Sequence, residues 1–184
     1  MITPRDDVAL LNGYHSPQVD VAVRLNTNES PDSPPEEWTN AIAEALGSIE
    51  WNRYPDRAAT ELRTKIGALH GVGPEQIFVA NGSNEVLQTV MLTFGGPGRT
   101  AAAWEPTYAL HSHISRITGT AVVEGERAVD FSTDLAEVRR VIDLAKPQVS
   151  FLCSPNNPTG VVDDEATVRA VLDMVTAVDG LLIV

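Results

Sequence analysis

An apolar run, Val149-Ser150-Phe151-Leu152-Cys153, passes straight into Ser154-Pro155-Asn156-Asn157-Pro158-Thr159-Gly160, and a helical pattern begins near Asp164. No other stretch constrains the fold as tightly. Its two prolines remove backbone donors and fix φ at two points, and they push Ser154 and Asn157 toward extended backbone. The expected result is a stiff loop at the C-terminal end of a strand, where open α/β sheets present ligand-binding groups. Asn157 carries an amide there that both donates and accepts. Taken alone, Asn-Asn-Pro-Thr-Gly is equally well turn chemistry, since each of these residues favours turns.

The rest of the chain alternates strand-like and helix-like patterns. Strands are expected at Val21–Leu25, Gln76–Ala80, Thr100–Trp104, Thr120–Glu124, Val149–Cys153 and from Leu181 onward. A helix starts at Pro34-Pro35-Glu36-Glu37, where proline and acids both suit a first turn. Its apolar face is Trp38, Ile42, Ala45 and Leu46, and Gly47 ends it. Asp56 is a good cap for a helix with the face Leu62, Ile66 and Leu69. Later helices place Val86, Leu87, Val90, Met91 and Phe94, then Leu110, Ile114 and Ile117, inward. Asp134 precedes Leu135, Val138, Val141 and Ile142, and Asp164 precedes Val168, Val171, Leu172 and Val175, each in capping position. This order predicts an α/β fold, a mostly parallel sheet with helices on both faces.

Asn81-Gly82-Ser83-Asn84-Glu85 opens one of these helices. A helix start offers unpaired N–H groups and a positive dipole end, so it binds a phosphate without needing a lysine. Gly82 lets the backbone come close to such a ligand. The amides of Ser83 and Asn84 are the expected donors, with the Ser83 hydroxyl beside them; Ser83 is also an ordinary N-cap residue. His111 and His113, two positions apart, point to different sides of a helix and make a poor metal pair, so both read as packing or surface residues.

The chain has 184 residues, enough for a real core, and a net charge of −12. That balance disfavours nucleic acid and anionic membranes as partners. No apolar run approaches the roughly 20 residues that span a bilayer, and the N-terminus has no apolar signal-peptide core. Cys153 is the only cysteine, which removes an internal disulfide and a cysteine zinc site from consideration. A cytoplasmic protein is the expectation. No Gly-x-Gly-x-x-Gly turn follows any strand, which argues against a dinucleotide-binding module.

Four segments, in order, resemble the fold-type I pyridoxal-phosphate (PLP) aminotransferases of class I/II. They are Leu25-Asn26-Thr27-Asn28-Glu29-Ser30-Pro31, Arg53-Tyr54-Pro55-Asp56, Asn81-Gly82-Ser83-Asn84-Glu85 and the Asn157-Pro158-Thr159-Gly160 loop. Within that superfamily they are most similar to the N-terminal half of the histidinol-phosphate aminotransferases. The resemblance implies PLP as cofactor, held by Tyr54, Gly82, Ser83, Asn84, Tyr108 and Asn157. Tyr54 would reach the cofactor phosphate of the other subunit of a homodimer. Tyr108 would stack on the pyridine ring, and Asn157 would bond its phenolic oxygen. Tyr14, Asn28 and Glu29 would approach the substrate. A cis Asn157–Pro158 bond is a further expectation.

By the same resemblance residues 1–33 form an N-terminal arm, 34–70 a helical segment of the small domain or linker, and 71–184 the first, truncated part of the large PLP-binding domain. Neither of the two lysines, Lys65 and Lys146, matches the family's Schiff-base lysine, and the aspartate that pairs with the pyridine nitrogen is also unmatched, so no catalytic residue is assigned. The implied reaction is transamination between histidinol phosphate and 2-oxoglutarate, with this chain as the N-terminal portion, inactive alone. An aromatic amino-acid aminotransferase or a PLP-dependent phospho-amino-acid decarboxylase would look alike in these segments. A non-catalytic remnant that binds a phosphate compound or a partner chain is the reading from another class. An incomplete parallel sheet is expected to leave apolar surface bare, so the chain alone is expected to aggregate, stay partly unfolded or require a partner.

Overall fold

The computed structural model describes residues 2–9, 11, 19–24, 26 and 29–184. The chain forms two compact units, Met1–Gly13 with Ala80–Val184, and Tyr14–Val79.

The larger unit is built on one parallel sheet. In chain order its elements are α1 (Asp6–Ala9), then, past the smaller unit's α2 (Glu36–Gly47) and α3 (Thr60–His70), α4 (Ser83–Phe94), β1 (Thr100–Glu105), α5 (Leu110–Ile117), β2 (Ala121–Glu126), α6 (Leu135–Ala145), β3 (Val149–Phe151), α7 (Glu165–Thr176) and β4 (Leu181–Ile183). The strand order is β2-β1-β3-β4 and every pairing is parallel. Register sets Thr100 beside Ala121, Ala101 beside Val149, and Val149 beside Leu181.

Period-two alternation along β1 sends its side chains into two separate cores. Ala102 and Trp104 pack with Val138, Val141, Ile142, Leu152, Val171 and Val175, beneath α6 and α7. Ala101 and Ala103 pack with Met91, Leu110, Ile114, Val149 and Phe151, beneath α4 and α5. Both faces of the sheet are therefore covered by helices, as a parallel sheet requires. Gly125 of β2 is needed for contact, because a Cβ there would lie 2.6 Å from Trp104 Cδ1. Asp134 caps α6 by accepting from the Ala136 and Glu137 amides, and Asp164 caps α7 by accepting from the Thr167 amide.

The smaller unit holds α2 and α3. Asp56 accepts from the Ala58 and Thr60 amides at the start of α3, as expected of a cap, although the residue in the N-cap position is Ala59. Arg63 ties α3 to the segment that follows by donating to the carbonyls of Ile77 and Pro74.

Several sequence expectations fail. Gln76–Ala80 does not form a strand: a turn of 3-10 helix covers Pro74–Gln76, and the following residues have no ladder partner among the described residues. A short apolar run makes a strand only where a neighbour supplies hydrogen bonds. The described residues of Val21–Leu25 are likewise not a strand. The α2 face of Trp38, Ile42 and Leu46 is exposed, as are Leu62 and Leu69 of α3. Phe94, Ile117 and Leu172, expected inward, are also exposed; each lies toward the end of its helix or at the margin of its apolar stripe. Helix α1 was not anticipated. Arg5 beside it donates to the Ile117 carbonyl at 2.8 Å, which satisfies an end-of-helix acceptor on α5.

Candidate active site

The chain runs from β1 to β2 on one side, then crosses back to β3 on the other side of β1. Strand direction of travel thus reverses between β1 and β3, and at such a point the loops leaving the two strands part and open a crevice. The loops are Pro106-Thr107-Tyr108 after β1 and Leu152–Gly160 after β3.

The start of α4 lies at the same place. The Tyr108 hydroxyl bonds Asn84 Oδ1 at 3.3 Å, so the post-β1 loop touches the first turn of α4. Gly82 occupies the N-cap position with φ +87, a left-handed conformation that glycine adopts without strain. A Cβ there would meet nothing within 4 Å, so its backbone faces open space. No side chain caps this helix among the described residues; Ser83 is its first residue, not its cap. The Glu85 carboxylate accepts from the Asn81 amide at 2.6 Å, fixing the approach to the helix. Uncapped first-turn amides with a positive dipole end suit an anion.

The two strand loops are latched together by Asn156, which is 2% exposed. Its Oδ1 accepts from the Thr107 hydroxyl at 3.0 Å. Its Nδ2 donates to the Pro106 carbonyl at 3.0 Å and to Thr159 Oγ1 at 2.8 Å. Asn157, next in the chain, is exposed. The Asn157–Pro158 bond is cis, as expected, and Glu105–Pro106 and Ser154–Pro155 are cis as well. On its outer side the loop is held by Arg127, whose guanidinium donates to the Cys153 carbonyl at 3.0 Å and the Phe131 carbonyl at 3.2 Å. Arg127 also faces Asp163 at 3.9 Å, with both side chains almost fully buried.

Behind Tyr108 lies His111, buried and stacked on Phe151 with ring centroids 4.5 Å apart and planes 9° from parallel. The Tyr108 ring meets it edge-on at 5.4 Å. Burial pushes the His111 imidazole down to about 4, so it is neutral near pH 7. Its Nδ1 has no hydrogen-bond partner among the described residues. His111 is thus a packing residue, as its sequence suggested.

Of the residues expected at the site, the structure brings together Gly82, Ser83 and Asn84 at the α4 start, Tyr108, and the loop that carries Asn157. Tyr54 lies in the smaller unit and is almost fully exposed. Glu29, in the same unit, pairs with Arg24 at 3.4 Å. Tyr14 and Asn28 fall outside the described residues. Asn156, Thr107 and the Arg127–Asp163 pair were not singled out from sequence. Asn156 had a signal in standing beside Asn157, but sequence does not reveal which of two adjacent amides turns inward.

Comparison with known proteins defines the class. The profile of the aminotransferase class I and II family matches residues 20–184. This chain belongs to that family, and its sheet is that of the fold-type I enzymes. It is 46% identical to a histidinol-phosphate aminotransferase of Streptomyces avermitilis over 98% of its own length and 51% of the relative's. It is 44% identical to one from Frankia casuarinae, over 98% of this chain and 47% of the relative. The chain therefore spans about half the length of these curated relatives. In fold it matches the crystal structure of histidinol-phosphate aminotransferase from Sinorhizobium meliloti in complex with pyridoxal-5'-phosphate. The TM-score is 0.79 at 22% identity, covering 88% of this chain and 43% of that one. Among the described residues no helix is long and apolar enough to cross a membrane.

Proposed function

We propose that this chain supplies the phosphate and ring cradle of a PLP-dependent aminotransferase that moves an amino group between histidinol phosphate and 2-oxoglutarate. The observation that carries this reading is the 44–46% identity to histidinol-phosphate aminotransferases along 98% of the chain.

The residues present fit the cofactor. Amides of Ser83 and Asn84 at the uncapped α4 start, with open space over Gly82, suit a dianionic phosphate. The Tyr108 ring offers a flat apolar face for the pyridine, a kind of contact worth about 0.5–1.5 kcal/mol. The exposed Asn157 amide is suited to hold the phenolic oxygen. When bound, PLP supplies the electron sink that makes amino transfer possible. The protein groups named here bind and orient, and the buried neutral His111 keeps water from the back of Tyr108. Tyr54, Tyr14, Asn28 and Glu29 are assigned to the phosphate and substrate of a homodimeric site.

We assign the cofactor's anchor to neither lysine. Lys65 pairs with Glu61 at 2.6 Å on the exposed side of α3. Lys146 is the C-cap of α6, three residues ahead of β3. We therefore assign this chain reversible PLP binding without a covalent link, and no turnover by itself. Borohydride reduction in the presence of PLP followed by peptide mass mapping tests this. The expected result is saturable PLP binding with no specific adduct; a stable adduct at Lys65 or Lys146 overturns the assignment. Donor choice is tested on the protein supplied with the remaining length of its relatives, by comparing glutamate formation from histidinol phosphate and from phenylalanine. Preference for phenylalanine would replace histidinol phosphate as the donor.

A further inference from the structure

We propose that Asn156 is a positioning residue that sets Tyr108 and Asn157 in place relative to each other. The inference rests on the cofactor reading above for its functional consequence, but its structural content stands on separate contacts.

Tyr108 and Asn157 leave the ends of two different strands, β1 and β3. These strands pair through only a short register, Ala101 beside Val149 and Ala102 beside Ser150. Beyond it the sheet no longer fixes one loop against the other. Asn156 takes over that task. Its single side chain joins the two loops, bonding Thr107 Oγ1 and the Pro106 carbonyl on one loop and Thr159 on its own. Its backbone closes the same loop: the Asn156 amide donates to the Val161 carbonyl, and its carbonyl accepts from the Gly160 amide.

The chemistry requires an amide. One oxygen must accept from a hydroxyl while one nitrogen donates to a carbonyl and a second hydroxyl oxygen. A carboxylate would set an acceptor against the Pro106 carbonyl. An apolar residue would leave that carbonyl and Thr107 buried and unsatisfied. Thr107 is itself buried, and its amide donates to Glu105 Oε2 at 2.9 Å, so the hydroxyl is presented to Asn156 from a fixed backbone. Tyr108 follows Thr107 directly and Asn157 follows Asn156 directly. Each proposed cofactor contact is therefore one residue from one end of the latch.

The test uses Thr107→Val, which removes one latch bond and leaves Asn156 untouched, and Asn156→Asp, which keeps the shape but replaces the donating nitrogen with an accepting oxygen. Thr107→Ser, which retains the hydroxyl, is the rescue control. Two readouts are taken on the intact polypeptide: the Asn157 side-chain amide and Tyr108 ring resonances without ligand, and the affinity for PLP. In Thr107→Val and Asn156→Asp both sets of resonances are expected to move while those of the α6–α7 core stay. PLP affinity is expected to fall about tenfold or more, a loss larger than the change in stability. Thr107→Ser is expected to behave as wild type. Unmoved Asn157 and Tyr108 resonances in Thr107→Val, or a loss of affinity only in step with unfolding, overturn the proposal. If the wild-type protein does not bind PLP, the cofactor reading falls, and the ligand-free resonances still decide whether the latch exists.

Discussion

The Tyr108 hydroxyl and Asn84 Oδ1 lie 3.3 Å apart, so a loop leaving the central strand is tied to the first turn of α4. Asn84 then has two separate uses. Its side chain orients the aromatic ring, and its backbone amide remains one of the first-turn donors that an anion can take. Replacing Tyr108 separates ring from hydroxyl. Tyr108→Phe keeps the flat surface and loses the bond to Asn84, and is expected to weaken PLP binding no more than about threefold. Tyr108→Ala removes the surface as well, and is expected to weaken it about tenfold, the equivalent of about 1.4 kcal/mol. Fluorescence titration with PLP checks both; equal losses would show that the ring contributes nothing.

Gly82 tests the phosphate end. At φ +87 any side chain is strained, yet a Cβ would touch nothing within 4 Å. Gly82→Ala is therefore expected to cost about 1 kcal/mol of stability through backbone conformation alone. If α4 receives a phosphate, the added methyl stands where the ligand approaches, and affinity for PLP should fall well beyond that for pyridoxal lacking the phosphate. Equal effects on the two would move the phosphate elsewhere.

The parallel sheet and its helices were legible because their signals are local. The Asp134 and Asp164 caps, the apolar stripes of α6 and α7 and the proline-bound loop can each be read within a dozen residues. What could not be read depends on pairing across the chain. Ile77-Phe78-Val79 has a strand's composition, and nothing in its sequence says whether a neighbour completes it. Trp38 and Leu46 keep helical spacing, and spacing does not reveal what lies opposite. At the candidate site, sequence pointed to Tyr108 and Asn157, the groups proposed to meet a ligand. It passed over Asn156 and Arg127, whose role is set by contacts about 26 to 50 residues away.

His111 makes stability depend on pH in a defined window. Its imidazole titrates near 4 when folded and near 6.5 when free, so between these values the unfolded chain binds more protons. Stability is accordingly expected to fall as pH drops from about 6.5 toward 4, by up to about 3 kcal/mol, and then to stop responding through this group. Among the described residues the aromatic rings against it are Phe151 and Tyr108, neither of which compensates the charge. His111→Phe preserves the stack and should flatten the profile in that window. Urea unfolding from pH 7 to pH 4 on both proteins checks it; an unchanged slope would mean that the ring is reached by water.

Arg127 and Asp163 bear on how the Asn157 loop is held from outside. Their charges stand at 3.9 Å, beyond hydrogen-bonding distance, with 1% and 3% of the side chains exposed. Removing either partner leaves a buried charge alone, so Arg127→Ala or Asp163→Ala is expected to cost about 3–5 kcal/mol. An apolar pair, Arg127→Met with Asp163→Leu, leaves no charge behind and should recover part of that loss. Recovery should be incomplete, because Arg127 also donates to the carbonyls of Cys153 and Phe131, and methionine leaves these unsatisfied. A double-mutant cycle by urea unfolding, built from Arg127→Met, Asp163→Leu and the two together, measures the coupling, expected to be at least about 1 kcal/mol. If the two losses simply add, the pair is incidental and the carbonyl bonds alone hold the loop.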